Sequence, residues 1–82
     1  MKVYITKYAL SSGILLIDVD DRGDGVVKDK SNSLLFFHGE GNEWHRTFAS
    51  AKPRAEEMRV AKIASLEKQL AKLRAMTFEE PK

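Results

Sequence analysis

The chain has 82 residues, a net charge of +2 and no cysteine. Its length allows one domain with a small core, and the lack of cysteine excludes a disulfide framework and a thiolate zinc site. No apolar run approaches the length of a membrane span, and residues 1–10 carry two lysines where a signal peptide would be continuously apolar. We therefore expect a cytoplasmic protein without a membrane partner.

The first half of the chain has the patterning of a small antiparallel sheet. Residues 2–8 alternate apolar and polar side chains, and residues 14–19, 26–28 and 34–38 are short apolar runs of strand length. Asp and Gly in residues 20–25 predict a tight turn between two of these strands. The apolar runs lack clean alternation, which indicates that both faces of the sheet are covered, one of them by the start of a helix.

The second half predicts one long amphipathic helix over residues 50–76, followed by a tail at residues 77–82. Thr47 or Ser50 is suited to cap this helix, and Pro53 suits its first turn. The predicted fold is α+β: a meander of three to five strands in residues 1–48, then the helix, all in one domain. A helix of that length spans about 40 Å, whereas a compact body of this size spans about 30 Å, so part of the helix must overhang.

The helix carries an apolar stripe. From Ile63 onwards the apolar spacing is three, four and three, which is a heptad pattern over about two heptads. We expect a homodimer, or a complex with another protein, through Ile63, Leu66, Leu70, Leu73 and Met76. The alternative is that the whole stripe packs on the chain's own sheet. Charged neighbours satisfy both parallel and antiparallel pairing.

The helix is also the basic part of the chain. Arg54, Lys68 and Lys72 share the side opposite the stripe, and together with Arg74 they are candidates for binding a nucleic-acid backbone. The alternative is an ordinary solvated face, because no aromatic residue is interleaved for base stacking.

Other polar clusters carry weaker signals. The aspartates of residues 18–24 do not have the spacing of a calcium loop, and two histidines around a glycine loop are insufficient for a metal site, so we expect no metal and no cofactor. No nucleophile or oxyanion site stands out, so we expect a protein that is not an enzyme. Trp44 is read either as a core anchor or, with His45, as part of a partner-binding surface.

Two stretches, KVYITKYALSSGI at residues 2–14 and EWHRTFASAKPRAEEMRVAKIASLEKQLAKL at residues 43–73, resemble a group of small bacterial and prophage-type proteins. That group opens with an ITKYAL-like strand and closes with a basic AEEMR..KI.SL..Q helix. The resemblance implies a non-enzymatic accessory protein in a phage setting, which docks on and inhibits a host defence or regulatory protein in the host cytoplasm. It carries no catalytic residue to transfer, and Pro53 departs from the helix start usual in the group.

Overall fold

A computed structural model describes residues 1–81, and Lys82, the last residue of the predicted tail, lies outside the described residues. Within the described range, five strands and two helices follow one another as β1 Lys2–Ile5, α1 Ala9–Ser12, β2 Leu15–Gly23, β3 Val26–Asp29, β4 Phe36–His38, β5 Trp44–His45 and α2 Phe48–Arg74. The predicted α+β architecture, a small antiparallel sheet followed by one long helix, is confirmed.

The strands form one antiparallel sheet in the order β4-β3-β2-β1-β5. The first four strands make a meander, and β5 returns to pair with β1, where Tyr4 lies opposite His45 and Ile5 opposite Trp44. Strand β2 pairs with β1 through its first half and with β3 through its second half. Because one long twisted strand serves both halves, the sheet curls and brings its two ends towards each other.

One face of the curled sheet holds the core. Side chains on this face alternate with more exposed neighbours along β1, as the period of two requires. The fully buried apolar cluster consists of Val3, Ile5, Val19, Val27, Phe37 and Trp44.

The other face of the sheet is only partly covered, which corrects the expectation that both faces are buried. Helix α2 packs chiefly on α1, β5 and β1. Strand β2 lies beyond that contact, and Leu16 on its outer face is 52% exposed.

The β2–β3 turn is tighter than the sequence predicts. Residues 20–23 continue β2 as a strand, and only Asp24 and Gly25 form the turn. Both have positive φ angles, 54° and 77°, which explains why Gly is needed at the second position. Strand β1 is shorter than predicted, because the chain leaves the sheet after Ile5 and Tyr8 begins a single helical turn.

Helix α2 begins and ends two residues earlier than predicted. The Thr47 hydroxyl accepts a 3.1 Å hydrogen bond from the Ser50 amide, so Thr47 is the N-cap. Pro53 therefore lies in the second turn, not the first, and deprives the Ala49 carbonyl of its usual intrahelical donor. Met76, assigned to the helix from the sequence, follows its end by two residues.

Candidate functional site

The C-terminal part of α2 projects beyond the body of the protein. Met58 is the last partly buried residue of the helix, and every residue from Arg59 to Pro81 is exposed. The molecule accordingly measures 62 Å along its longest axis and only 28 and 21 Å along the others. The predicted overhang is confirmed.

The overhang carries four apolar side chains that the body leaves exposed, here called the leucine stripe: Ile63, Leu66, Leu70 and Leu73. Their exposed fractions run from 43% to 64%. Val60 and Met76, at its two ends, are also more than half exposed. The alternative, that the whole stripe packs on the chain's own sheet, is therefore wrong for this part of the helix.

The leucine stripe is not a continuation of the packed face of α2. With about 100° per residue, the mean direction of the stripe lies roughly a quarter turn from that of the packed residues. The buried or half-buried residues of α2 are Ala51, Arg54, Ala55 and Met58. The helix thus has two apolar faces with different directions, and only one of them is used by the fold.

Charged residues limit the stripe upstream. Glu56 and Arg59 fall on the a and d positions of the preceding heptad, if Ile63 is an a position, and they form a 2.6 Å ion pair with each other. This pair is exposed and interrupts the apolar surface between the body and Ile63. The stripe is therefore confined to about two heptads.

The predicted basic face is only partly assembled. Arg54, Lys68 and Lys72 do share one side of α2, but the Arg54 guanidinium is held by Asn42 at 3.1 Å and Glu57 at 3.3 Å. Arg74 lies on the flank of the leucine stripe and not with the other three. The free basic surface thus reduces to Lys68 and Lys72, one turn apart and both exposed.

The structure corrects the prediction of an exposed partner surface at Trp44 and His45. Both side chains are only 1% exposed. The Trp44 indole Nε1 donates a 2.7 Å hydrogen bond to the Gly25 carbonyl. Trp44 is therefore a core anchor, the other of the two interpretations of its role. The sequence carried no signal for the burial of His45, because its covering groups come from β1 and α2.

The buried His45 ring joins a chain of hydrogen bonds that leads from Thr6 to Ser50. Thr6 Oγ1 donates to the Asn42 carbonyl at 2.7 Å, so its lone pair accepts from His45 Nε2–H at 3.1 Å. His45 Nδ1 then accepts from the Ser50 hydroxyl at 2.8 Å. Burial lowers the pKa of His45, and the charge of Arg54 acts in the same direction.

The Ser50–His45 contact has the distance of a nucleophile–base pair, but its surroundings do not support one. A catalytic histidine is usually oriented by a carboxylate, which stabilises the imidazolium that forms. Here a threonine hydroxyl occupies that place, and the lowered pKa disfavours the imidazolium. The arrangement instead fastens β5 to β1 and to the first turn of α2.

The acidic hairpin is occupied by internal ion pairs. The Lys30 ammonium lies 3.7 Å from Asp18 and 3.9 Å from Asp20, and the N-terminal ammonium lies 3.1 Å from Asp18.

Within residues 1–81, no three His, Asp or Glu side chains are grouped so that they could hold a metal ion. Across the same residues, no helix is both long enough and apolar enough to cross a bilayer.

The sequence does not predict a further apolar group on the outer face of the sheet. It consists of the exposed Leu16 and Phe48 and the partly buried Tyr4, here called the outer patch. The apolar run at residues 14–17 predicts cover on both sides, and only the strand register reveals that Leu16 lies beside Tyr4 on the outer face.

Comparison of the chain with protein-family models, with curated proteins and with solved structures found no match.

Proposed function

We propose that this chain is a protein-binding module, and not an enzyme, that self-associates through the leucine stripe. The observation that carries the proposal is the exposure of Ile63, Leu66, Leu70 and Leu73 on a helix that its own body cannot cover. An apolar stripe with heptad spacing is complementary to an identical stripe, because knobs at a and d fill the holes of the facing helix. A second copy is thus the simplest partner.

The energetics place this pairing near the threshold of stability. Full burial of one aliphatic side chain stabilises by about 1.5–3 kcal/mol, and the stripe residues are about half exposed to begin with. The eight stripe side chains of two copies then contribute about 6–12 kcal/mol in total, against an association cost of about 4–15 kcal/mol. The stripe alone supports a weak dimer, and a tighter one needs further contacts.

Flanking charges favour self-association in either orientation. In a parallel pair, Lys62 at a g position faces Glu67 at an e position of the other copy. In an antiparallel pair, Glu67 and Arg74 both occupy e positions and line the same edge of the interface. Pairs of this kind add at most about 1 kcal/mol each at an exposed site. They are compatible with pairing but do not select its direction.

A dimer joined by the overhang leaves the β-rich bodies free to contact another protein. The resemblance of residues 2–14 and 43–73 supports the more specific proposal that this other protein is a host or phage protein and that docking inhibits it. The alternative is nucleic-acid binding through Lys68 and Lys72. Arg54 is less available for it, because its guanidinium is bonded to Asn42 and Glu57.

Light scattering across protein concentration tests the proposal. We expect a dimer whose mass resists high salt, because apolar burial drives the association. Leu70→Asp with Leu73→Asp should give a monomer that keeps the wild-type circular dichroism spectrum. Ala64→Asp with Ala71→Asp is the matched control: it adds the same charge to the same part of the helix, off the stripe, and should leave the dimer intact.

Two results would contradict the proposal. One is a wild-type chain that remains monomeric at about 1 mM, because a dimer that forms at cellular protein concentrations needs a Kd below that value. The other is a Leu70/Leu73 variant that unfolds without changing the mass of the particle. Repeating the measurement with added double-stranded DNA and RNA tests the alternative, since phosphate-driven binding weakens steeply as salt rises.

A further inference from the structure

The outer patch lies on the sheet face opposite the core. Tyr4 and Leu16 are directly opposed across β1 and β2, and the Phe48 ring meets the Tyr4 ring edge to face at 5.8 Å. Leu16 and Phe48 are each about half exposed. These three side chains form a small apolar surface, because two of them lie on paired strands and the third lies in the first turn of α2.

The outer patch and the leucine stripe face the same side of the molecule. Leu66 follows Phe48 by eighteen residues, which is five helical turns, so the two side chains leave the helix in the same direction about 27 Å apart. A polypeptide segment that binds along the leucine stripe and continues towards the body therefore reaches the outer patch.

The tail provides an apolar group that cannot reach the patch of its own chain. Phe78 is 88% exposed and follows the helix end at Arg74 by four residues, which span at most about 14 Å. The helix separates Arg74 from Phe48 by about 39 Å. Only the tail of a second copy can bring Phe78 to the outer patch.

We propose that two copies pair antiparallel through the leucine stripe and that the tail of each binds the outer patch of the other. This inference rests on the self-association proposed above. With a positions opposed to d positions, Ile63 lies against the partner's Leu73, and Leu66 against the partner's Leu70. Arg74 then lies level with the partner's Lys62, and an extended tail carries Phe78 to within about 8 Å, along the axis, of the partner's Phe48.

Charge complementarity supports this occupant. Glu79 and Glu80 follow Phe78 directly, and two exposed lysines border the outer patch: Lys52, one turn after Phe48, and Lys2, on the same sheet face as Tyr4. Lys2 lies opposite Asp18, but the Asp18 carboxylate is already paired with Lys30 and with the N-terminal ammonium. In a parallel pair the same tails extend away from both bodies. There the acidic residues and Phe78 meet no lysine and no apolar surface of either body.

Cross-linking between single-cysteine variants distinguishes the two directions, because the chain has no cysteine of its own. Lys52→Cys and Thr77→Cys are made separately, mixed in equal amounts and treated with a short thiol–thiol cross-linker. We expect a product that contains one copy of each variant, and almost none from either variant alone. A cross-linked pair of two Thr77→Cys chains overturns the proposal, since those positions meet only in a parallel pair.

A second measurement tests the outer patch itself. Phe78→Asp and Leu16→Asp should each raise the dimer dissociation constant about tenfold or more, whereas Leu34→Asp, on an exposed loop, should leave it unchanged. An unchanged constant in both patch variants overturns the proposal. A wild-type monomer would instead refute the self-association on which it rests, and a dimer without the mixed cross-link would refute the antiparallel arrangement alone.

Discussion

The Trp44 indole donates a 2.7 Å hydrogen bond to the carbonyl of Gly25, nineteen residues earlier in the chain. Gly25 lies in the β2–β3 turn, and its carbonyl also accepts from the Gly39 amide at 2.9 Å. Two distant segments thus converge on one carbonyl group. The contact ties β5, at one end of the strand order, to the hairpin near the other end and holds the sheet in its curled form.

Trp44→Phe should lower the free energy of unfolding by about 1–3 kcal/mol, because it removes this buried hydrogen bond and leaves a gap in the core. Urea unfolding followed by circular dichroism measures the effect, since the variant has no tryptophan fluorescence. All samples are compared at one protein concentration, because self-association would contribute to stability. Leu34→Ala, at an 88% exposed site, is the control and should change stability by less than about 0.5 kcal/mol.

Protein stability should fall as the pH drops below about 7, because of His45. Burial holds the pKa of His45 below its ordinary value of 6.5, so in this range the unfolded chain binds more protons than the folded one. The stabilisation is complete above the unfolded pKa and is lost as pH falls through the interval down to the folded pKa. Melting temperatures measured between pH 5 and pH 8, values chosen to span that interval, should show this slope.

His45→Gln should flatten that slope, whereas His38→Gln, at an exposed residue, should retain it. An equal slope in the His45 variant would show that another group is responsible. Asp18 and Asp29 do not produce this slope, because the pKa of each is lowered and their effect on stability lies at lower pH. A hydrogen bond from the N-terminal ammonium lowers the pKa of Asp18, and hydrogen bonds from Ser31 lower that of Asp29, both from an ordinary value of 3.8.

Thr47→Ala should destabilise the protein by about 1 kcal/mol, because the Ser50 amide loses the Thr47 hydroxyl that accepts its hydrogen bond at the start of α2. Thr47→Ser keeps the hydroxyl and should recover most of the loss. Thr77→Ala, in the exposed tail, controls for threonine replacement in general. Equal stability of Thr47→Ala and wild type in urea unfolding would mean that packing alone fixes the first turn.

Pro53→Ala should stabilise the protein by about 2 kcal/mol. A proline inside a helix costs about 3 kcal/mol, and up to about 1 kcal/mol of that is offset because proline restricts the unfolded chain. The site is exposed, so no packing is lost, and the Ala49 carbonyl regains a donor. A variant less stable than wild type would indicate that α2 needs the proline to meet the body at the observed angle.

The sequence alone determined the features that depend on neighbours along the chain. Alternation in residues 2–8 and short apolar runs of strand length predict the first four strands, and the spacing of apolar residues predicts the long helix and its stripe. Strand β5 carries no such pattern, and only its pairing with β1 defines it. The overhang followed from helix length alone. The sequence also identifies Thr47 as one of two N-cap candidates. This prediction is possible because the cap is a local interaction, in which the Thr47 side chain accepts from an amide three residues away.

Only the tertiary structure decided which side chains are accessible. The sequence allows Trp44 and His45 to form a partner surface, yet they are buried by β1, α2 and the turn at Gly25, segments brought together by pairing across the curled sheet. The apolar run at residues 14–17 predicts that Leu16 is covered, yet it is exposed because α2 crosses β1 and β5 and leaves β2 open. Burial depends on contacts between segments that are distant along the chain, and those contacts form only in the folded structure.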